Sequence, residues 1–205
     1  MTENVEEREL KERLSLIATM IAEGRRSTES WGWVFVLWGA AYYIAMAWSS
    51  GLFTGPIWAQ HYLAWPITMI GACILTVVLA ARNHGDRPPT TIGRAIGAIW
   101  MAMGISMFAL LLPLGLSGRG NQQVVVAAIC AMLGSTNAAS SIIVKFKAQF
   151  ACAVVWWAAA AASCFGSESQ SAIAFMVAIF FCQIVFGAYG MILESRVRKQ
   201  EAAHA

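Results

Sequence analysis

Charged residues are scarce in this chain of 205 residues: Asp, Glu, Lys and Arg make up 12% of it, whereas hydrophobic residues make up 59%. Soluble globular domains carry about 25% charged residues, so the composition excludes an ordinary soluble domain. With 17 glycines and 5 prolines the chain is no collagen, and its hydrophobicity excludes an intrinsically disordered protein. A polytopic membrane protein remains.

Cysteines are few, and their spacing does not suggest pairs. There are five, an odd number, and no two of them form a C-x-x-C pair, which excludes a disulfide-rich secreted fold. All five fall inside apolar segments, where we expect them to be buried small apolar residues. They are Cys73, Cys130, Cys152, Cys164 and Cys182.

Long uncharged segments are abundant. Residues 31–81 contain no Asp, Glu, Lys or Arg, residues 95–144 contain only Arg119, and residues 148–193 contain only Glu168. A membrane core of about 30 Å needs about 20 residues of helix, so each segment has room for two spans. We therefore predict an all-α protein with six transmembrane helices in a domain covering residues 31–194, with Pro113 kinking or ending the third helix. The predicted spans are residues 31–48, 62–81, 95–116, 124–144, 148–165 and 172–193.

The basic residues predict the orientation of these spans. Lys and Arg in short loops stay on the cytoplasmic side of a membrane. With six spans, both termini and the second and fourth loops share one side, and that side holds 13 of the 14 basic residues, all except Arg119. We therefore predict cytoplasmic termini, a short cytosolic tail at residues 195–205, and a location in a prokaryotic cytoplasmic (inner) membrane.

The N-terminal segment, residues 1–30, is amphipathic. Leu10, Leu14, Ile17 and Ile21 recur at helical spacing and form one apolar stripe on a cytosolic helix. Pairs four residues apart, Glu7 with Lys11 and Glu9 with Arg13, support the helix. The stripe either packs on the membrane domain of its own chain or docks a partner helix, including a second copy. Five basic and seven acidic residues give a net charge of −2, which argues against binding to anionic lipid or nucleic acid.

A weak internal repeat accompanies the spans. Trp38, Trp100 and Trp156 fall in the first, third and fifth predicted helices, and Cys73, Cys130 and Cys182 fall in the second, fourth and sixth. Three tandem helical hairpins would produce this alternation, and so would chance, because both residue types recur in this chain.

Catalytic chemistry has little support. No Asp, Glu, Lys, Arg or His lies at mid-depth in a predicted span, and such residues usually mark proton relays and metal sites in membranes. His61, His84 and His204 are too dispersed to hold one haem. Nucleotide-binding, hydrolase and zinc-protease motifs are missing from the sequence. We expect no enzyme activity, no cofactor and no metal.

The most polar intramembrane stretch is on the fourth predicted helix. Asn137 carries an amide that must find a partner away from lipid. One interpretation is that Asn137 and its small neighbours hold helices together. The other is that neutral polar side chains line a passage for water, a small uncharged solute or an ion. The candidates for that passage are Ser135, Thr136, Asn137, Ser140, Ser141, Gln183, Tyr42 and Tyr43.

Two functional hypotheses follow. The first is a non-catalytic membrane module that sits in the bilayer and binds a partner, or a second copy, through the face formed by Leu10, Leu14, Ile17 and Ile21. The alternative is a small channel or facilitator for a neutral solute or ion, lined by polar residues of the fourth and sixth helices. The first is preferred because the spans lack intramembrane charge.

Overall fold

The computed structural model describes residues 7–17, 19, 31–53, 55–56, 60–83, 91–117 and 120–203. Within these ranges the chain is all-helical, without a strand. Six helical segments are long and apolar enough to cross a membrane, which makes this a multi-pass membrane protein. The helices are α1 at residues 7–17, α2 at Gly32–Ser49, α3 at Ala64–Asn83, α4 at Thr91–Ser117, α5 at Gln122–Val144, α6 at Lys147–Phe165, α7 at Glu168–Ile179 and α8 at Phe186–Ala203. A short 3-10 helix, His61–Leu63, precedes α3, and a π-helical segment, Phe180–Val185, joins α7 to α8.

Local backbone and side-chain features set both ends of α5 and the start of α7. The Asn121 side chain accepts hydrogen bonds from the backbone N–H groups of Gln123 and Val124 and so begins α5. Lys145, in the left-handed conformation with φ of 52°, ends it, and α6 begins two residues later. Ser167 and Gln170 form a reciprocal capping box at the start of α7. The connection from α5 to α6 is therefore a tight helical hairpin.

The sixth span extends beyond its predicted end, and Pro113 does not end α4. The sixth span, made of α7, the π segment and α8, starts at Glu168 and continues to Ala203, well past the last apolar residues. Its final turns are rich in Glu, Arg, Lys, Gln and Ala, which favour helix outside a membrane. The helix α4 continues through Pro113 to Ser117, so an end at this proline is wrong.

Four elements build the core: α2, α5, α6 and the sixth span. Each buries residues at steps of three and four, which places them along one face. The four faces meet in a single buried cluster. The stripes are Phe35, Gly39, Tyr42 and Ala45 on α2; Cys130, Leu133, Asn137, Ser140 and Val144 on α5; Gln149, Cys152, Trp156, Ala159 and Ser163 on α6; and Ser171, Phe175, Ala178, Cys182 and Phe186 in the sixth span.

The helices α3 and α4 lie outside this core. Trp38 on α2 donates an indole N–H to Thr76 Oγ1 on α3 at 3.1 Å, and the Trp100 ring of α4 packs edge-on against Phe35 at 5.4 Å. None of the described side chains of α4 is fully buried. Both helices therefore present broad apolar surfaces to the bilayer.

Glycines bring α2 and the sixth span close together. A Cβ on Gly32 would lie 2.6 Å from the carbonyl oxygen of Gly187, and a Cβ on Gly187 would lie 2.7 Å from the carbonyl oxygen of Gly32. Real Cβ atoms do not approach a backbone so closely. The two helices cross where neither has a side chain, as expected for small residues at membrane helix contacts.

The helix pairs expected as hairpins are in contact: α2 with α3, α4 with α5, and α6 with α7. The most extensive pairing is α5 with α6, which joins the second predicted hairpin to the third. The three-hairpin repeat stays a prediction.

The cysteines divide between core and surface. Cys130, Cys152 and Cys182 are buried as expected, but Cys73 and Cys164 are exposed. Burial was the wrong expectation for these two because Cys73 lies on a peripheral helix and Cys164 lies off the buried stripe of α6.

Candidate functional site

Buried polar side chains gather in one part of the four-helix core, which we name the polar layer. Each of its members is at most 4% exposed. They come from three elements, α5, α6 and the π segment. The members are Asn137, Ser140, Ser141, Gln149 and Gln183.

The antiparallel pairing of α5 with α6 sets the depth of these residues. A Cβ on Gly134 would lie 2.6 Å from Trp157 Nε1, so these two residues mark one level of the hairpin. At 1.5 Å per residue, Asn137 lies about 4.5 Å, Ser140 about 9 Å and Gln149 about 12 Å from that level, towards the turn at Lys145. These polar residues therefore occupy a slab about 8 Å deep.

The π segment reaches the same slab. Cys182 Sγ donates to the carbonyl oxygen of Cys152 at 3.4 Å, which places this part of the sixth span beside the first turns of α6. Gln183 follows directly and packs on α2, because a Cβ on Gly39 would lie 2.9 Å from the Gln183 Cβ. Segments of π-helix inside α-helices are frequent at functional sites.

Several polar atoms of the layer have no hydrogen-bond partner in the part of the chain that the structure describes. Asn137 Nδ2 donates to the Leu133 carbonyl oxygen at 2.8 Å, but its Oδ1 is unpartnered. The Ser140 hydroxyl is unpartnered, as are both amide atoms of Gln149. A buried polar atom left without a partner costs about 1–3 kcal/mol. Ser141 differs, since its hydroxyl donates to the Phe146 carbonyl oxygen at 3.1 Å.

The orientation of the Asn137 amide follows from its neighbour. Rotating the amide by 180° would place Oδ1 against the Leu133 carbonyl oxygen, where two acceptors repel. The oxygen therefore points away from α5's own backbone. It offers an acceptor to the interior of the bundle.

The remaining sequence candidates lie elsewhere. Thr136 is buried, but its hydroxyl donates to its own helix at the Met132 carbonyl oxygen, 2.9 Å away. Ser135 is exposed on the outer face of α5. Tyr42 is buried against the rings of Phe175 and Trp65, outside the layer, and the Tyr43 hydroxyl donates to the Met176 carbonyl oxygen at 2.8 Å.

A mainly apolar section, which we name the apolar section, bounds the layer on the side away from Lys145; its one polar atom among the three side chains named next, Trp156 Nε1, has no partner among the described residues. Leu133, Trp156 and Ile179 come from α5, α6 and α7 and are at most 1% exposed. Phe175 packs beside Trp156, with ring centroids 6.0 Å apart. The polar residues of the layer are therefore confined to one half of the bundle.

Gln149 is the member of the layer that the sequence reading missed. It follows Lys145 and Lys147 closely, and those lysines mark the end of a span. The available signal was its spacing, because Gln149 precedes Cys152 by three and Trp156 by seven on one helix face. Ser163 and Ser171, also fully buried, were missed in the same way.

The second candidate site is the apolar stripe of α1. Every described side chain at residues 7–17 is exposed, including Leu10, Leu14 and Ile17 at 53–59%. The predicted ion pairs are present, Lys11 with Glu7 at 2.8 Å and Arg13 with Glu9 at 3.0 Å. Ile21, the last member of the predicted stripe, lies outside the described residues.

In the part of the chain that the structure describes, neither site resembles a metal centre or a site in a known protein. Among the described residues, no three His, Cys, Asp or Glu side chains are placed to hold a metal ion. No family model, curated protein or solved structure matches this chain. The contacts and burial described above therefore carry the functional argument.

Proposed function

We propose that this protein is a non-catalytic membrane module that self-associates through α1. The observation that carries the proposal is the exposure of Leu10, Leu14 and Ile17, because a folded chain rarely leaves an aligned apolar stripe uncovered. A stripe repeating at steps of four and three is what a second helix buries in a coiled coil. The six-helix domain holds α1 next to the bilayer.

A second copy is the occupant that the membrane favours. All copies in one bilayer share an orientation, so their α1 helices emerge on the same side and pair in parallel. Confinement raises their effective concentration, which offsets the shortness of a two-heptad contact. With Leu10 at position d and Leu14 at position a, Glu6 and Lys11 take the flanking g and e positions. In a parallel pair, opposite charges at g and e positions support that register.

The proposal places both termini in the cytoplasm and the spans in a cytoplasmic (inner) membrane. Its support is the gathering of 13 of the 14 basic residues in the termini and the second and fourth loops. The lipid bilayer is then the permanent environment of the spans. Nucleic acid is not a partner, since the N-terminal 30 residues carry a net charge of −2.

The oligomeric state of the full chain in lipid nanodiscs or vesicles tests this function. Leu14→Glu places a charge in the stripe and is expected to shift the population to monomers, measured by single-molecule photobleaching. Leu16→Glu is the matched control, because Leu16 is equally exposed, at 62%, but lies off the stripe. Unchanged oligomers in Leu14→Glu, or equal losses in both variants, would contradict the proposal.

A second candidate function is a facilitator for a small neutral solute or ion. The observation in its favour is the set of unpartnered polar atoms on Asn137, Ser140 and Gln149 inside the bundle. The test is flux of water, glycerol, urea and monovalent cations into proteoliposomes. A facilitator loses flux in Asn137→Leu and keeps it in Ser135→Leu, where the same substitution faces lipid.

A further inference from the structure

The polar layer contains more hydrogen-bonding capacity than the protein around it uses. Six buried side-chain atoms lack a partner among the described residues, and four of them belong to the layer: Asn137 Oδ1, Ser140 Oγ, Gln149 Oε1 and Gln149 Nε2. The other two, Trp156 Nε1 and Ser171 Oγ, lie outside it. At about 1–3 kcal/mol each, the combined cost of the four atoms in the layer approaches the whole stability of a typical domain. Such a cluster persists when a molecule from outside the chain supplies the missing hydrogen bonds.

We infer that the polar layer is a binding site for neutral molecules that both donate and accept hydrogen bonds, with water as the occupant. The unpartnered atoms include acceptors, on Asn137 and Gln149, and donors, on Gln149 Nε2 and the Ser140 hydroxyl. A cation would be repelled by the Gln149 amide hydrogens and would lose its hydration without a carboxylate to replace it. Water offers two donors and two acceptors and satisfies both kinds of atom.

The layer lies nearer one end of the bundle than the other. Gln149 is the third residue of α6, about 3 Å along the helix from the exposed Lys147. Asn137 lies about 12 Å from Lys145 along α5, and the buried Leu133 follows one turn further from that end. The shortest distance from the layer to solvent therefore runs towards the end that carries the lysines.

The inference rests on neither proposed function. Water held in the layer requires no solute to cross the bundle, and none of the five residues of the layer belongs to α1. Loss of flux and loss of occupancy are separate results, so the failure of one proposal leaves the other to be judged on its own data.

The decisive measurement asks whether water contacts the buried amide of Gln149. The full chain, in lipid bilayers and labelled with ¹⁵N-glutamine, is studied by solid-state NMR with magnetisation transfer from water. Gln149→Met identifies the Gln149 signal by its disappearance. We expect rapid transfer to this side-chain NH₂ and its exchange in D₂O, although the residue is 0% exposed. A signal with neither transfer nor exchange would overturn the inference.

A double-mutant cycle tests whether Ser140 and Gln149 share their occupant. Ser140→Ala and Gln149→Met are expected to shift the melting temperature non-additively, because either change removes the same bound water. Additive shifts would show that Ser140 and Gln149 act independently and would contradict a common site. The claim that the occupant of the polar layer is uncharged is tested by exchanging choline for Na⁺ or K⁺ in the buffer. A cation-specific rise in melting temperature that disappears in Gln149→Met would refute it.

Discussion

Replacing Gly187 by alanine tests the packing between α2 and the sixth span. The added Cβ would lie 2.7 Å from Gly32 O, 2.8 Å from Val36 Cγ2 and 3.0 Å from Phe35 Cβ, against 3.4–4 Å for ordinary contact. Two of these neighbours are a backbone oxygen and a Cβ, which cannot rotate away. Overpacking of this kind costs about 1–3 kcal/mol of unfolding free energy.

Alanine also favours helix over glycine by about 0.5–1 kcal/mol, which would hide part of that cost. Gly104→Ala is the control that removes this effect, because Gly104 is helical and has nothing within 4 Å of its Cβ position. We expect Gly187→Ala to be less stable than Gly104→Ala by about 1–3 kcal/mol, the overpacking cost alone.

Reversible unfolding in mixed micelles, titrated with SDS and followed by tryptophan fluorescence, gives both free energies. The sign of the difference is the prediction, since helix propensity cancels between the two variants. Equal stabilities would refute the close crossing of α2 with the sixth span at Gly32 and Gly187.

Three further predictions concern local features. Ser167→Ala removes the capping box of α7 and should lower the unfolding free energy by about 1 kcal/mol, measured in the same micelles; no change would mean that α7 does not depend on its cap. Lys11→Gln removes an exposed pair at nearly unchanged helix propensity and should destabilise the helix of an α1 peptide, measured by circular dichroism, by no more than about 0.5 kcal/mol, whereas a collapse of helicity would show that propensity does not support α1. In detergent, an apolar maleimide should modify Cys73 and Cys164 well before the three other cysteines, as counted by intact mass, and early modification of Cys130 would contradict its burial.

The spans could be predicted because they are defined by the absence of charged residues. A single charge in a membrane is costly, so uncharged runs such as residues 31–81 define membrane segments with little ambiguity. Helix ends were harder to predict, because the hydrophobic residues stop at the bilayer surface whereas the helical hydrogen bonding continues beyond it. For that reason the sixth span was predicted to end at Leu193, whereas α8 continues to Ala203.

The division between core and periphery could not be predicted. Lipid and protein interior are equally apolar, so a helix facing lipid on most sides has the same composition as one buried among others. The exception was α5, whose Asn137 had to face protein and not lipid; α4 carries no such residue. Only contacts between helices, such as Gly134 beneath Trp157, reveal which spans form the core.

The polar layer was predicted in part. Asn137 was identified because an amide in mid-span is conspicuous, and Ser140, Ser141 and Gln183 were grouped with it. The structure buries these four and exposes Ser135, which helical rotation turns to the opposite face. Gln149 was missed because its neighbours along the chain are lysines, whereas its neighbours in space belong to the core.

The π segment has a consequence for how the sixth span tolerates insertions and deletions. Its buried residues are spaced by four and three before the segment, at Ser171, Phe175 and Ala178, and by four thereafter, at Cys182, Phe186 and Gly190. One extra residue is thus absorbed in the wide turn. Deleting a single residue between Phe180 and Val185 would convert that turn to α-helix without changing the position of α7, so this span can lose a residue where other spans of the core cannot. Within the membrane, a one-residue deletion here is a local change of pitch, not a rotation of α8 by about 100°.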